Sequence, residues 1–534
     1  MEAVVKAAAE RRRYVRTAAS FDVFSMNTDR PIGRAINLSL GGMFIETENP
    51  LRPGTKLLLE FNLHDQEPII AYCDIRWLRN LLDCKLGQSG MAVQFVAIYE
   101  YHRRKLQEGI VENLKRINSD NYSLADFIDI SDRDLFKKTY LFWQYGEDML
   151  KKGFVKYRIP LMSSSKNKVQ VEDEITGKLR EMIMMGSSNY LGLTTHPKVV
   201  EASKKAVERY GAGAGGAALL AGTYSIHKEL EMKLTKLVGC QDAVIFQTGY
   251  GTNMGCISAL VRKHDIAIID RLCHASILDG CKLSNGLFKT FRHSDLENLR
   301  QELENSNDRH AGKLVIVDGV YSVGGDIAPL RDIVKIAKDY EAKVMVDDAH
   351  GIGVIGEKGR GTTSYFNLEG KVHLVMGSLG KSLGGMGGFV ASSEEVITYL
   401  RYYARPYFFS TYLPPNVAAA VLAAIDVMEE EPELIKKLWT NINYMKENLR
   451  NLGFNIGNSE SAIIPIIIGD ELTLRKVSKR VHEDGLYLNA IPYPAVPKGQ
   501  ECLRLRLMAT HTREDLDKAL EILEKVGTQY GILT

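Results

Sequence analysis

The chain has 534 residues, of which 45% are hydrophobic and 25% are charged, and its formal net charge is +2. That length exceeds what one hydrophobic core usually supports, so two or three domains are expected. The near-neutral charge argues against a protein that coats a nucleic acid polymer. The seven cysteines are scattered singly, without a CxxC pair. This pattern is typical of a reducing compartment, with no structural zinc and no other metal.

The sequence lacks the two common membrane signals. No apolar run approaches the roughly 18 residues of a transmembrane helix, and the amino end lacks the apolar core of a signal peptide. We therefore predict a cytoplasmic protein without a transmembrane segment, and peripheral attachment at the inner membrane surface stays open.

Residues 1–118 carry short apolar stretches separated by turn signals. Short strands at such spacing are typical of a small β-barrel, and a helix over about 99–117 follows them. The predicted strands are Phe21–Phe24, Met43–Ile45, Lys56–Phe61, Ile69–Trp77 and Met91–Val96.

Two motifs in this region suggest a ligand. Arg12 and Arg16 form an RxxxR pair, and Asn37, Ser39 and Gly42 follow about twenty residues later. Arginine suits phosphates and guanine edges because its donors are paired and planar, although a solvated basic terminus is the usual fate of such a cluster. The two motifs and the barrel resemble the PilZ domain. The resemblance implies cyclic di-GMP bound by Arg12, Arg13, Arg16, Asn37, Ser39 and Gly42; the alternative is a barrel used only for protein contacts.

The remainder of the chain is predicted to be a helical connector and arm followed by an α/β region. The connector and arm cover 119–185, a large domain covers 186–415, and a small domain covers 416–534. Helices alternate with apolar β runs, which indicates βαβ units and a largely parallel sheet with its sites at the carboxyl ends of the strands. The predicted runs are Asp242–Phe246, Ile266–Ile269, Leu314–Val317, Lys343–Val346 and His373–Met376.

Lys381 is the candidate reactive group, because it lies in a glycine-rich stretch that follows one of these runs. A P-loop would need a glycine at position 375, which is Val375, so that interpretation fails. An ordinary surface lysine remains the competing interpretation. The glycine motif at 211–216 matches a dinucleotide fingerprint in letters, but it follows a helix rather than a strand and lacks the required context.

Three other strand ends carry polar residues that complement Lys381. Asp347 and His350 follow one run, His274 follows another, and Gly249 opens a helix whose free N–H groups suit a phosphate. Each has a structural interpretation when taken singly, as a helix cap, a loop histidine or a turn residue. Together they are the parts that hold pyridoxal phosphate, because the acid pairs with the ring nitrogen, the imidazole covers the ring and the lysine forms the imine.

Beyond this constellation, several longer runs resemble the α-oxoamine synthases, a family of fold-type-I pyridoxal-phosphate enzymes. The resemblance covers about 182–525 and implies that fold, with a mostly parallel large domain and a smaller α+β domain. The matching runs are Ser188–Gly192, His274–Ser276, Asp347–Gly351, Ser378–Lys381, Phe409–Pro415 and Arg504–Thr512.

The resemblance also implies roles for individual residues and a homodimer with shared active sites. Lys381 is the Schiff-base lysine, His274 stacks on the ring, and Asp347 pairs with the ring nitrogen. His350 and Ser322 lie near the ring's 3′-oxygen, while Asn189 and Arg504 face the carboxylate of the amino acid. The implied phosphate contacts are Thr248, Gly249, Tyr250 and Ser378, with Ser410 and Thr411 reaching in from a second subunit.

Two further stretches suggest the substrates. Apolar residues at 217–220 replace the arginine that the family often has at position 218, and the proline-rich loop at 492–499 is similar to that of serine palmitoyltransferases. We therefore predict decarboxylative condensation of L-serine with a long-chain acyl thioester, on coenzyme A or a carrier protein, to a 3-ketosphinganine-type product under cyclic di-GMP control. The alternatives are an α-oxoamine synthase that uses glycine or alanine, an aminotransferase, and a nucleotide-sensing module with an inert catalytic half.

Overall fold

The computed structural model describes residues 16–26, 30–39, 41–63, 68–79, 90–106, 118–154, 157–172, 177–307 and 311–533. The chain forms two compact units. One comprises Met1–Lys156, Asp470–Lys479 and Pro492–Gln500, and the other comprises Tyr157–Gly469, Arg480–Ile491 and Glu501–Thr534. The four-part domain division given above stays a prediction.

The first unit contains a closed antiparallel barrel with the strand order β1-β2-β3-β6-β5-β4. Its strands are β1 (Arg16–Ser25), β2 (Pro31–Ser39), β3 (Gly42–Glu46), β4 (Lys56–Phe61), β5 (Ile69–Arg79) and β6 (Gly90–Ile98). The predicted barrel is confirmed, but β2 was missed. It begins with Pro31 and contains Asn37 and Ser39, which are residue types that also favour turns, whereas proline is tolerated at the first position of a strand.

Aromatic stacking fills the interior of the barrel. Phe61 is buried, and its ring lies 5.5 Å from the ring of Phe21 and 6.0 Å from that of Phe95. Leu38 and Ile45 are also fully buried beside this stack. Burial of such side chains is the main force that holds a small barrel closed.

The helices described by the structure begin after the barrel. They are α1 (100–106), α2 (Lys137–Lys151), α3 (Pro197–Tyr210), α4 (Ser225–Val238), α5 (Gly249–Leu260), α6 (Ala275–Leu283), α7 (Leu296–Glu304), α8 (Leu330–Asp339), α9 (Thr362–Tyr365), α10 (Glu394–Tyr403), α11 (Arg405–Phe408), α12 (Pro415–Glu430), α13 (Glu433–Asn451), α14 (Glu471–Glu483) and α15 (Arg513–Gln529). None of the helices in these ranges combines the length and apolarity that a membrane crossing requires.

Within the first unit, Arg475 ties the segment after the barrel to the start of α14. The buried guanidinium donates to the carbonyl oxygens of Ser119 and Tyr122, at 2.7 and 2.8 Å, and to the hydroxyl of Tyr145 at 2.7 Å. It also pairs with Glu471 one turn earlier. These bonds satisfy carbonyl groups that the short 3₁₀ turns of this segment leave open.

The second unit contains the predicted α/β sheet and two smaller sheets. Its strands are β7 (Lys168–Glu172), β8 (Leu179–Met184), β9 (Asp242–Phe246), β10 (Asp265–Asp270), β11 (Leu287–Phe291), β12 (Gly312–Asp318), β13 (Lys343–Asp347), β14 (Leu374–Ser378), β15 (Gly388–Ser392), β16 (Ile463–Ile467), β17 (Leu486–Tyr487), β18 (Asn489–Ile491) and β19 (Cys502–Arg506). The large sheet has the order β11-β10-β12-β13-β14-β15-β9.

The direction of these strands decides where a site can form. β15 is antiparallel to both β14 and β9, and the other pairings in the large sheet are parallel. The carboxyl ends of β9, β10, β12, β13 and β14 therefore lie at one edge. The central strands are buried along almost their whole length, as expected of a parallel sheet covered by helices on both faces.

Of the strands in the two small sheets, β7 and β8 precede the large sheet in sequence, and β16 to β19 follow it. β19 pairs antiparallel with β16 on one side and β18 on the other, and β8 joins β7 and β17. β19 carries the predicted substrate residue Arg504.

Candidate active site

Lys381 lies in the loop that joins β14 to β15. The buried side chains of Leu379 and Leu383 flank it and anchor the loop. Two of the glycines serve this packing: Gly384 has φ +65°, and a Cβ at Gly385 would lie 2.4 Å from a methyl group of Val421. In the sequence, the glycine-rich pattern had marked only where Lys381 lies.

The amine of Lys381 is poised to lose its proton. Burial lowers its pKa to about 8, and the charges of Arg506 and Arg504 act in the same direction against Asp347 and Asp318. A lysine with a pKa near 8 is partly neutral at physiological pH, whereas an ordinary lysine, with a pKa of about 10.4, is not. The neutral form is the one that attacks a carbonyl or accepts a proton.

Asp347 ends β13, and a buried amide fixes its carboxylate. The amide nitrogen of Asn253 donates to Asp347 Oδ2 at 2.7 Å and to the hydroxyl of Ser276 at 2.9 Å, while the N–H of Ala349 donates to Asp347 Oδ1 at 3.1 Å. Sequence reasoning missed Asn253, because nothing in its helix distinguishes it before the fold brings α5 beside β13.

A second acid, Asp318, lies directly across from Asp347, since the two strand ends are paired in register. Burial raises the pKa of Asp318 well above its ordinary value, and the charge of Asp347 adds to this rise. One Asp318 oxygen accepts the N–H of His274 at 3.3 Å. An acid at the end of a buried strand was a signal that the sequence offered and that we did not use.

His274 caps α6 and presents its ring at the same edge of the sheet. Its Nδ1 lies 2.7 Å from the hydroxyl of Ser276, and the ring of Tyr250 approaches it edge-on with centroids 6.1 Å apart. Burial lowers the pKa of His274, and the charge of Lys381 acts in the same direction, so the ring is neutral. A neutral, oriented imidazole can stack on a flat heterocycle.

The amino end of α5 forms an anion cradle. Thr248 caps this helix by accepting the N–H of Gly251 at 2.9 Å, and helix geometry leaves the first N–H groups without a partner inside the helix. A Cβ at Gly249 would lie 3.8 Å from Ser378 Oγ, which places that hydroxyl beside the helix end. A Cβ at Gly388 would lie 2.9 Å from Gly249 Cα, so no side chain fits there.

His350 is buried and held by a residue that sequence reasoning missed. The hydroxyl of Tyr190 lies 2.7 Å from His350 Nδ1. Burial lowers the pKa of His350 well below its ordinary value, and the charge of Lys381 lowers it further, so the imidazole is neutral. Tyr190 belongs to the Ser188–Gly192 run, but only the fold shows what it touches.

Arg504 points from β19 towards the loop that follows β12. Its Nη1 donates to the carbonyl oxygen of Ser322 at 2.8 Å. A cationic bridge holds this loop, because His293 lies 2.9 Å from Asp326 and 3.1 Å from Asp270. Burial alone would lower the pKa of His293, but the two carboxylates outweigh it and raise the pKa to about 9.

Asn189 and Thr411 contact other residues of this chain. The amide nitrogen of Asn189 donates to Thr194 Oγ1 at 2.7 Å and to the carbonyl of Ser165 at 3.2 Å. Thr411 is exposed and forms an isolated bridge with Ala217, next to Ser410. The roles of Asn189, Ser410 and Thr411 stay predictions.

Three residues of the predicted nucleotide site, Asn37, Ser39 and Gly42, lie in the barrel. Arg12, Arg13 and the side chain of Arg16 lie outside the described residues, and the backbone of Arg16 begins β1. Asn37 Oδ1 accepts the N–H of Phe44 at 3.2 Å, and Ser39 Oγ donates to the carbonyl of Gly42 at 3.0 Å. The two side chains thus shape the β2–β3 hairpin, and a Cβ at Gly42 would lie 2.1 Å from Val93 O.

The residues at the sheet edge fit pyridoxal phosphate. They supply a lysine amine of lowered pKa, an acid at a strand end, a neutral imidazole and a helix amino end with a serine hydroxyl beside it. By contrast, no cluster of His, Cys, Asp and Glu side chains suited to a metal ion occurs among the residues that the structure describes.

Comparison with protein families agrees with this geometry. The model of the aminotransferase class I and II family matches residues 180–523. The chain belongs to that family. As a member, it takes pyridoxal phosphate as its cofactor, and its large sheet is the fold-type-I sheet. The PilZ domain model matches residues 10–112, so the barrel is a PilZ domain.

Individual relatives place the chain among the α-oxoamine synthases. It is 42% identical over 413 residues to the 4-hydroxy-2,2'-bipyrrole-5-methanol synthase PigH of Serratia sp.. The matched region covers 77% of this chain but only 63% of that protein. It is 43% identical over 384 residues to the 8-amino-7-oxononanoate synthase of Thermoanaerobacter pseudethanolicus. This second match covers 72% of this chain and 96% of that synthase.

Among solved structures, the chain is similar to the serine palmitoyltransferase of Sphingomonas wittichii. The TM-score is 0.71 at 36% identity, and the match covers 75% of this chain and 100% of the other. The match therefore includes the whole of that serine palmitoyltransferase chain.

The contact between Asn253 and Asp347 leads to a prediction. Asn253→Ala removes a buried hydrogen bond to a charged group, which is worth about 1.5–3 kcal/mol, so affinity for pyridoxal phosphate should fall about 10- to 100-fold. Absorbance titration of the apoprotein measures this loss. Asn298→Ala, in the exposed first turn of α7, is the matched control, and equal affinities for the two variants would show that Asn253 does not orient Asp347.

Proposed function

We propose that this protein is an α-oxoamine synthase that condenses L-serine with a long-chain acyl thioester, releases CO₂, and forms a 3-oxo amino product of the kind that begins sphingolipid synthesis. We also propose that cyclic di-GMP binds the PilZ domain and regulates this activity. The likeness to serine palmitoyltransferase, which spans the whole of that chain, carries the assignment.

The residues at the sheet edge support each part of the reaction. Bound pyridoxal phosphate supplies an electron sink for charge that develops at the amino-acid Cα. Asp347 would hold the ring nitrogen of the cofactor in its protonated form, and His274 would hold the ring face. The Lys381 amine, with its pKa lowered by burial to about 8, accepts and returns the Cα proton.

The acyl specificity rests on the apolar stretch at 217–220. Ala218 stands where the family often has an arginine, so no guanidinium is available there for a carboxylate at the far end of an acyl chain. Leu220 is 78% exposed, and an apolar side chain of this kind suits a hydrocarbon.

A second candidate is supported by sequence identity. The chain is 43% identical to the 8-amino-7-oxononanoate synthase of Thermoanaerobacter pseudethanolicus, a higher value than the 36% for the serine palmitoyltransferase structure. An α-oxoamine synthase that uses a different amino acid and a shorter acyl group is therefore the alternative function.

A homodimer is part of the proposal. Phe409 is 71% exposed and Leu220 is 78% exposed, and the Ala217–Thr411 bridge joins the two segments that carry them. Large apolar side chains grouped on a surface commonly mark a protein interface. The same segments include Ser410 and Thr411, which we propose reach the phosphate of the partner subunit.

The substrate prediction is tested by thioester-dependent CO₂ release. Serine, glycine and alanine are each offered with a long-chain acyl thioester and with a shorter acyl thioester that ends in a carboxylate. We expect serine with the long chain to have the highest kcat/KM, by about tenfold or more, since one group in a pocket is worth 1–3 kcal/mol. Lys381→Ala supplies the background rate. A preference for alanine or glycine with the shorter thioester would replace this proposal with the second candidate.

The regulatory prediction is tested by thermal melting of the full chain. Cyclic di-GMP at about 100 times its Kd should stabilise the barrel by about 2.7 kcal/mol, and GMP should not. Arg16→Ala should abolish the shift, whereas Arg104→Ala, an exposed arginine of the same unit, should retain it. A melting curve that is unchanged at saturating cyclic di-GMP would reject the sensor.

A further inference from the structure

Two arginines, not one, lie on the face of β19 that carries the predicted substrate residue. Arg504 and Arg506 are two residues apart on one strand, so they lie on the same face. The side chain at the intervening position, Leu505, is fully buried on the opposite face. The resemblance to the α-oxoamine synthases assigns a role to Arg504 alone.

Neither guanidinium has a counter-ion in the part of the chain that the structure describes. Arg504 Nη1 donates to the carbonyl of Ser322 and Arg506 Nη1 to the carbonyl of Gly186, each at 2.8 Å. Among the described residues, no carboxylate is close enough to shift the pKa of either guanidinium. The Nε atom of each is buried without a partner. Buried cationic groups with unused donors are costly unless an anion joins them.

Arg506 acts electrostatically on the reacting centre. Its charge lowers the pKa of Lys381, and that of His350, more strongly than the charge of Arg504 does. Its other polar neighbour is Asn489 Oδ1, at 3.5 Å, which is neutral. An anion bound between β19 and Lys381 would therefore meet Arg506 as well as Arg504.

We propose that Arg506 is a second binding residue for the α-carboxylate of the amino-acid substrate, so that two guanidinium groups hold this carboxylate together. The inference rests on the proposed function, because it requires an amino acid bound at Lys381. The chemistry fits, since a carboxylate has two oxygens that accept about four hydrogen bonds and pairs best with guanidinium donors. The α-carboxylate is one bond from the carbon whose proton Lys381 accepts.

If two guanidinium groups hold the α-carboxylate, the site selects its amino substrate by the carboxylate rather than by the side chain. L-Serine and L-alanine share the α-carboxylate, ethanolamine keeps the hydroxyl of serine but lacks the carboxylate, and all three have an amine that can react with the bound cofactor. If Arg506 instead contacts the serine hydroxyl, serine and ethanolamine will respond alike to its loss.

The experiment titrates the full-length holoenzyme with each compound and follows the visible absorption of the bound cofactor, without any thioester. The variants are Arg506→Gln, Arg506→Lys and the control Arg300→Gln, which alters an exposed arginine of the same unit. We expect Arg506→Gln to raise the Kd of serine and alanine about 10- to 100-fold, with that of ethanolamine unchanged. Arg506→Lys should restore part of the affinity.

Two results would overturn the inference. One is an equal loss for serine and ethanolamine, and the other is no loss for serine. If Arg506→Gln no longer holds the cofactor, Arg506→Lys decides by the same serine-to-ethanolamine ratio, and an unchanged ratio rejects the role. Because the titration needs no thioester, a wrong acyl or amino-acid assignment appears only in the CO₂ assay and leaves this comparison intact.

Discussion

The parallel register of β12, β13 and β14 is the constraint on which the site depends. Asp318, Asp347 and Met376 are aligned across these strands, so the loops that follow them begin at one level of the sheet. Lys381 and His350 then need only a few residues of loop to reach a common space. The cost of burying the polar strand ends is met by hydrogen bonds such as that between Asn253 and Asp347.

Burial then shifts the pKa values of the titratable groups at this edge of the sheet. It raises the pKa of Asp318 and lowers the pKa of His350 and His274. It lowers the pKa of Lys381 to about 8 and that of Arg504 to about 10. One fold thereby places a reactive amine beside an acid without a fixed salt bridge between them, and it leaves positive charge available for an anionic substrate.

Much of this arrangement could be predicted because it follows from local patterns. Apolar runs of about five residues that alternate with helical segments specify a parallel sheet. Polar residues just after such runs must collect at the carboxyl edge of that sheet. This logic located Lys381, Asp347 and His274. The contacts between Asn253 and Asp347, and between Tyr190 and His350, could not be predicted, because the residues of each pair are 94 and 160 positions apart in sequence. Strand β2 was missed because proline and asparagine are also turn residues, and only pairing with β1 and β3 decides between the two.

The measurement that tests the account most directly is chemical trapping of the cofactor on its lysine. The full chain, purified with pyridoxal phosphate, is reduced with borohydride, digested, and mapped by mass spectrometry. The account predicts that the phosphopyridoxyl group is found on the peptide that contains Lys381, and that Lys381→Ala yields no such label and no visible cofactor absorption. A label on another lysine, or an unmodified Lys381 in protein saturated with the cofactor, would contradict it.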